Sequence, residues 1–165
     1  MEFKFCLQSQ LTKKYLDEII NLKNIYWHHS YNGHEKWIKN NIRDEDLHML
    51  MFENNVLVGY LNLIKINVSI NNLVSCFLGI GNVCSKEKGK GYGQQLIKEV
   101  NIYLEFNKFQ GMLLCKNELT DFYKKSNWML IDKNLTNKIF SENINVMMYN
   151  FNLKIMSFNY TGRNF

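Results

Sequence analysis

The residue types best suited to chemistry stand together in one short loop. Residues 86–93, KEKGKGYG, hold three lysines and three glycines and run directly into a helical pattern of apolar residues. Glycine lets a ligand approach the backbone closely, and the first turn of a helix offers unpaired N–H groups with a partial positive charge. The loop is therefore predicted to bind a pyrophosphate or a phosphate ester.

Two common phosphate-binding loops do not fit this stretch. The P-loop pattern GxxxxGK[ST] occurs nowhere in the chain. The dinucleotide pattern GxGxxG belongs to a βαβ unit. The glycines of residues 89–93 are instead separated by one residue each, and they follow predicted antiparallel strands. A basic turn that binds nothing is the alternative that these residues alone leave open.

The pattern before the loop predicts a strand and two helices. Alternation of apolar and polar residues predicts the strand over residues 2–8, and helical spacing predicts a helix over residues 12–24. An aromatic and histidine-rich segment then ends at a predicted turn at residues 32–33, Asn-Gly. A short second helix is predicted over residues 34–42.

Three antiparallel strands lead into the loop, because asparagine pairs that tolerate positive φ separate three apolar runs. The pairs are Asn54-Asn55 and Asn71-Asn72. The predicted elements from here on are strands over 47–52, 56–68 and 73–84, a helix over 92–106, a strand over 112–115, a helix over 120–126, and strands over 128–131 and 144–153. The order β-α-α-β-β-β-α-β-α-β-β indicates an α/β (α+β) fold with one mixed sheet.

Length and composition restrict the class of protein. With 165 residues, 46% of them hydrophobic, the chain fits a single domain over 1–165, with a core over 2–153 and a tail over 154–165. No apolar run reaches the roughly 18 residues that span a bilayer, and the four cysteines stand singly. We therefore expect a cytoplasmic protein that binds no membrane and no metal.

The net charge of +5 does not favour a nucleic-acid partner. Arginine dominates direct base recognition, and Arg43 and Arg163 are the only arginines among 20 basic residues. The one tight lysine cluster lies in the glycine loop itself, where a phosphorylated ligand accounts for it.

Taken with its surroundings, the loop resembles that of the GNAT superfamily of acetyl-CoA-dependent N-acetyltransferases. The family pattern [Q/R]-x-x-G-x-[G/A] matches residues 88–93, with Lys88 in place of Gln or Arg. Residues 113–128 resemble the family's fifth strand, fourth helix and FY-x-x-x-G-[FW] segment, with Asn127 in place of Gly. The order of elements agrees over residues 2–153, and the details are most similar to the aminoglycoside 2′-N-acetyltransferase-like branch.

This resemblance implies a mostly antiparallel central sheet with helices on both faces, and acetyl-CoA as co-substrate. The pantetheine arm would lie between the fourth and fifth strands, against Val83 and Ser85, although relatives often have Pro at the second position. The pyrophosphate would lie on the backbone of Lys88, Gly89, Lys90, Gly91, Tyr92 and Gly93.

The resemblance also implies direct attack of a neutral amine on the thioester in a ternary complex. Tyr123 takes the place of the family's general acid, which protonates the leaving thiolate. No carboxylate occurs in residues 73–84, so the base is sought in the segment around the second helix. The candidates there are His28 and His29 first, then His34 and Glu35, and a water chain is the alternative.

The segment around the second helix is implied to line the acceptor site. Trp27, Tyr31 and Glu35 are the candidates for contact with the acceptor. The predicted function is transfer of an acetyl group to a primary amine of a small molecule such as an amino sugar or aminoglycoside. A protein or peptide N-acetyltransferase and a non-catalytic CoA-binding module are the alternatives, and a homodimer stays open because the 73–84 strand and the tail could pair with a second copy.

Overall fold

A computed structural model describes residues 1–136 and 141–165. The helices and strands lie, in chain order, at β1 (Glu2–Leu7), α1 (Lys13–Asn24), α2 (Tyr31–Asn41), β2 (Leu47–Glu53), β3 (Val56–Ile70), β4 (Leu73–Ser85), α3 (Tyr92–Phe106), β5 (Gly111–Lys116), α4 (Thr120–Lys124), β6 (Met129–Leu130), β7 (Ile144–Tyr149) and β8 (Phe158–Asn159). None of these helices is both long enough and apolar enough to cross a membrane.

The strands form one mixed sheet in the order β1-β2-β3-β4-β5-β7-β6, with β8 paired to β3. The ladder between β4 and β5 is parallel and consists of the pairs Leu78–Gly111, Gly79–Met112 and Ile80–Leu113. The pairs β1–β2, β2–β3, β5–β7, β6–β7 and β3–β8 are antiparallel. The predicted fold class is therefore confirmed, and β8 is a strand that the pattern of the tail did not reveal.

Asparagine pairs make the two hairpin turns around β3, as the sequence predicts. Asn54 and Asn55 have φ of 50° and 63°, and Asn71 and Asn72 have φ of 52° and 64°. Two successive residues with positive φ are the signature of the type I′ turn, whose twist matches that of the flanking strands.

Two predicted boundaries differ from the structure by three residues or more. Residues 32–33 are not a turn but belong to the first turn of α2, because the Ser30 side chain accepts a hydrogen bond of 3.1 Å from the Gly33 N–H and caps the helix before them. The last predicted strand, β7, ends at Tyr149 rather than at residue 153, because Asn150 has φ of 57° and leaves the extended conformation.

The described residues form two compact units. Unit 1 contains Met1–Ile64, Gly81–Leu96 and Asn164–Phe165, and unit 2 contains Lys65–Ile80 and Ile97–Arg163. In unit 1, α1 and α2 cover one face of the sheet through the buried residues Ile19, Ile20, Leu22, Ile38 and Ile42, which pack with Leu50, Phe52, Tyr60 and Cys84.

The first turn of α3 packs against the other face of unit 1. A Cβ added to Gly59 in β3 would stand 3.0 Å from Leu96 Cδ1. The absence of a side chain at Gly59 therefore lets Leu96 approach the strand closely. Helices lie on both faces of the sheet, as the resemblance implies.

A buried histidine forms the polar centre of unit 1. His48 Nε2 donates to Gln8 Oε1 at 2.7 Å, and the Tyr60 hydroxyl donates to His48 Nδ1 at 2.8 Å. Burial lowers the pKa of His48 to about 4, with a smaller opposing effect of Asp46. The imidazole is therefore neutral, with one nitrogen donating and the other accepting.

In unit 2, Trp128 anchors the segment after α4. It is buried, and its Nε1 donates to Asn101 Oδ1 at 2.9 Å, while Asn101 Nδ2 donates to the Ser126 carbonyl at 2.9 Å. Between Ser126 and Trp128, Asn127 has φ of 63°, which is the left-handed position that the family usually gives to Gly.

The pH dependence of stability should reveal His48. Since its folded pKa of about 4 lies below the unfolded value near 6.5, only the unfolded state binds the proton in between. The free energy of unfolding should hold above about pH 6.5 and fall by up to about 3 kcal/mol as the pH drops to about 4. Urea unfolding of the wild type and His48→Gln measures this: the variant should lose most of this dependence, whereas the exposed-loop control His28→Gln should keep it. Equal slopes in all three proteins would contradict the assignment.

Asn127 should tolerate glycine but not alanine. Asn127→Gly keeps the left-handed conformation, so its melting temperature should equal or exceed that of the wild type. Asn127→Ala forces an ordinary L-residue into that conformation and should cost about 1 kcal/mol. Thermal unfolding of the two variants side by side is the measurement, and an equally stable alanine variant would show that the conformation carries no strain.

Candidate active site

The glycine loop joins the end of β4 to the start of α3 in unit 1. Gly89 and Gly91 have φ of 83° and 76°, and a Cβ at either position would meet no atom within 4 Å. The glycines are thus required by the backbone conformation and not by a lack of space. This left-handed conformation costs other L-residues about 1–2 kcal/mol each.

Both ends of the loop are attached to the hairpin of β2 and β3. The Lys86 N–H donates to the Val58 carbonyl at 2.8 Å. At the other end, the Tyr92 hydroxyl donates to Glu53 Oε2 at 2.7 Å, and this hydrogen bond raises the pKa of Tyr92 to about 12. The loop is therefore held at both ends while its centre is exposed.

The centre of the loop is cationic. Lys86, Lys88 and Lys90 are exposed. Lys90 pairs with Glu87 at 3.2 Å, and Lys88 Nζ lies 5.6 Å from the centre of the Tyr26 ring. Because the first N–H groups of a helix have no acceptor within the helix, α3 adds backbone donors at the same place. These groups together suit a phosphate or pyrophosphate.

The strand before the loop changes direction at Asn82. This residue has φ of 52° inside β4, as at a β-bulge, and its Nδ2 donates to Asn62 Oδ1 at 2.6 Å. Val83 and Ser85, the residues implied to contact pantetheine, follow directly and are partly buried.

The histidine segment separates into exposed and buried members. His28 and His29 are exposed. His34, which is buried, donates from Nε2 to the Trp27 carbonyl at 3.0 Å, and burial lowers the pKa of its imidazole. Of the two candidate bases, His29 lies edge-on to His34 at a ring distance of 5.4 Å. His34 therefore positions Trp27 and the segment around it.

The candidate acceptor residues lie at the start of α2 and just before it. Trp27 and Tyr31 are 38% and 37% exposed. The Tyr31 hydroxyl donates to Asp17 Oδ1 at 2.6 Å, and Glu35 Oε1 pairs with Lys39 at 3.7 Å. Aromatic faces and a carboxylate are thus open to solvent here.

Tyr123 lies in unit 2, in α4. Its ring packs edge-on against Phe122 and Trp128 at centroid distances of 4.9 Å and 6.3 Å. Burial, assisted by the Cys115 thiol, raises the pKa of Tyr123 well above its usual value. Its hydroxyl is protonated and donates to no acceptor among the residues described.

Two of the four cysteines, Cys84 and Cys115, are unsuited to covalent catalysis. Cys84 and Cys115 are buried, and burial raises the pKa of both thiols, that of Cys84 to about 12. Each is therefore a thiol at neutral pH, whereas a nucleophile requires the thiolate.

Unit 1 thus contains the loop, Val83, Ser85 and the acceptor and base candidates, and unit 2 contains Tyr123. A surface depression of about 490 Å³ beside the β2–β3 turn, between Met1 and Asn55, is lined by none of these residues. Within residues 1–136 and 141–165, no group of three or more His, Cys, Asp or Glu side chains could hold a metal ion.

Lys23 is a residue that the sequence reasoning missed. It lies in the last turn of α1 and is only 3% exposed, and its Nζ stands 4.3 Å from the centre of the Trp37 ring. Its position four residues after Ile19 and three after Ile20 placed it on the apolar face of the predicted helix. That spacing was the available signal for a buried lysine.

Comparison with known proteins gives a fold. No family model and no curated protein matches the sequence. The crystal structure of Escherichia coli ElaA has a TM-score of 0.66 at 20% identity, over 89% of this chain and 97% of that one. An acyl-CoA N-acyltransferase from Pseudomonas aeruginosa has a TM-score of 0.67 at 16% identity over the same shares. Bacillus subtilis YlbP, an N-acetyltransferase solved with coenzyme A, has a TM-score of 0.59 at 15% identity, over 90% of this chain and 96% of that one. The chain therefore has the fold of the GNAT N-acetyltransferases.

Proposed function

We propose that this protein is an acetyl-CoA-dependent N-acetyltransferase that acts as a single domain over residues 1–165. The observation that carries the proposal is the left-handed, cationic loop at Gly89 and Gly91, fixed between β4 and the first turn of α3. The fold of the protein is one in which such a loop is expected, and the loop offers the backbone donors that a pyrophosphate needs.

The cofactor would be held mainly by backbone groups. The N–H groups of residues 88–93 fit the pyrophosphate, and Lys88 adds a point charge rather than the planar fork of an arginine. Val83 and Ser85 would pair with the pantetheine arm, and a backbone N–H near Val83 would polarise the thioester carbonyl. Acetyl-CoA, when bound, supplies the thioester that a neutral amine attacks to form the amide.

Tyr123 would protonate the leaving thiolate. Its raised pKa keeps the hydroxyl protonated throughout the neutral range. Among the described residues the hydroxyl donates to no acceptor, so it can give up its proton without breaking a hydrogen bond to any of them.

The proton of the amine has several candidate destinations. His28 and His29 are exposed and accessible to water, whereas the Nε2 of His34 is committed to the Trp27 carbonyl. We assign the base role to His28 or His29, or to water ordered beside them.

The proposed acceptor is a primary amine on a small molecule such as an amino sugar or an aminoglycoside. The exposed rings of Trp27 and Tyr31 can stack on a sugar, and Glu35 can contact a hydroxyl or ammonium group. Cytoplasmic location and assembly as a homodimer belong to the same proposal.

Calorimetry with acetyl-CoA and a thiol-release assay test this function. The acceptor panel should include amino sugars, aminoglycosides, polyamines and peptides. Acetyl-CoA binding together with thiol release on a small amine would support the proposal. Release on peptides alone would favour a protein acetyltransferase, binding without release would favour a CoA-binding module, and absence of both would refute the proposal.

Gly91→Ala should weaken acetyl-CoA binding. The substitution places an L-residue at a φ of 76°, so the loop must give up its conformation or pay about 1–2 kcal/mol. The calorimetric affinity should fall roughly fivefold to thirtyfold. Lys98→Ala, an exposed change on α3, serves as the control and should bind acetyl-CoA as the wild type does. Equal affinities of Gly91→Ala and the wild type would show that the loop does not bind the cofactor.

Tyr123→Phe should lower kcat about 100-fold or more, with little change in acetyl-CoA affinity, because a general acid acts in the chemical step. The matched control is Tyr149→Phe, which removes a hydroxyl from the same aromatic cluster, since Trp128 contacts both rings. Steady-state and single-turnover rates provide the measurement. Unchanged turnover in Tyr123→Phe, where chemistry limits the rate, would remove Tyr123 as the acid.

A further inference from the structure

Lys23 is a buried cation that has no counter-ion among residues 1–136 and 141–165. Its Nζ lies 4.3 Å from the centre of the Trp37 ring and 5.9 Å from that of Trp27. Among the described residues it forms no ion pair and no hydrogen bond to a carboxylate. Lysines this deeply buried are normally paired, because removing a charge from water is costly. The two aromatic faces compensate only part of that cost.

None of the described groups that interact electrostatically with Lys23 is a carboxylate. The Cys84 thiol in β4 interacts electrostatically with Lys23. The charge of Lys23 acts in the same way on His34 in α2 and on His48 in β2. Burial lowers the pKa of Lys23 to about 8, and no carboxylate opposes that change. The side chain is therefore mostly cationic at neutral pH, among neutral partners.

A second buried donor lies on the same face of the sheet. Asn62 is opposite His48 in the β2–β3 ladder, and it shares a face with Tyr60 two residues away. It is fully buried, its Oδ1 accepts from Asn82, and its Nδ2 has no hydrogen-bond partner in the part of the chain that the structure describes. Buried donors without an acceptor are rare in folded proteins.

Two donors in unit 1, the Lys23 ammonium and Asn62 Nδ2, therefore have no oxygen acceptor among the described residues. The Lys23 ammonium also has no negatively charged partner there. Lys23 contacts Trp27, one of the candidate acceptor residues, and Asn62 accepts from Asn82, which precedes the candidate pantetheine residue Val83. We propose that the acceptor amine also carries an anionic oxygen group, a carboxylate or a phosphate, which Lys23 binds.

This inference rests on the proposed function and makes it more specific. It favours an amino acid or an amino-sugar phosphate over a polycationic aminoglycoside, which would place further positive charge near Lys23. Trp27 then has two contacts, one with the acceptor and one with the lysine that holds the anion. Lys23 is a binding residue in this assignment and takes no part in proton transfer.

Matched pairs of acceptors provide the test. Each amino acid is compared with its carboxamide, and a hexosamine phosphate with the free hexosamine, so that the two arms distinguish carboxylate from phosphate. In the wild type, the anionic member of one pair should have kcat/KM about 10- to 100-fold above its neutral partner, the range expected for a charge-assisted hydrogen bond. Calorimetric binding of the same members in the presence of CoA should show the same preference.

Lys23→Met should abolish that preference, and Lys23→Arg should restore part of it. The methionine variant should be at least as stable as the wild type, because it removes a desolvated charge and keeps the aliphatic stem against Trp37. Lys36→Met, an exposed change on α2, is the control and should keep the full preference.

Neutral members that react as well as anionic ones, or a preference that survives in Lys23→Met, would overturn the inference and leave the proposed function standing. Failure of every amine together with failure to bind acetyl-CoA would overturn both.

Discussion

Left-handed backbone is the constraint on which the rest of this structure depends. Steric clash excludes most L-residues from positive φ, and the chain meets the requirement with glycine at positions 89 and 91 and, apart from Lys108, with asparagine at the other described positions. Proline is absent and glycine occurs nine times, so asparagine carries most of the reversals. Its short amide can hydrogen-bond locally, which offsets part of the cost.

That constraint connects the hairpins to the candidate active site. The turn at Asn54-Asn55 brings Glu53 and the strand that carries Val58 together, and these two residues hold the two ends of the glycine loop. Asn82 uses the same conformation to redirect β4 just before Val83. These local turns together place the backbone N–H donors that the proposed reaction uses. The proposed cofactor site therefore depends on few side chains.

Burial decides the protonation of the side chains that remain. It keeps His48 neutral, the Cys84 thiol protonated and the Tyr123 hydroxyl protonated. The same effect acts on Lys23, but aromatic rings in place of acids surround that cation. Lys23 is therefore a buried positive charge on the face that α1 and α2 cover, and in our proposal it makes the site favour acceptors with an anionic group.

The sequence by itself determined the order of elements, the two asparagine hairpins and the glycine loop, because these depend on periodicity and on φ preferences that are local. It also placed Asn127 in its left-handed position. Tertiary structure alone decided that β8 pairs with β3, that Lys23 is buried against two tryptophan rings, and that Asn62 is buried with its Nδ2 unpartnered among the described residues. Burial and strand pairing depend on residues that are distant in the chain, so no local pattern contains them, and the buried charge of Lys23 became apparent only after α1 had packed against the sheet.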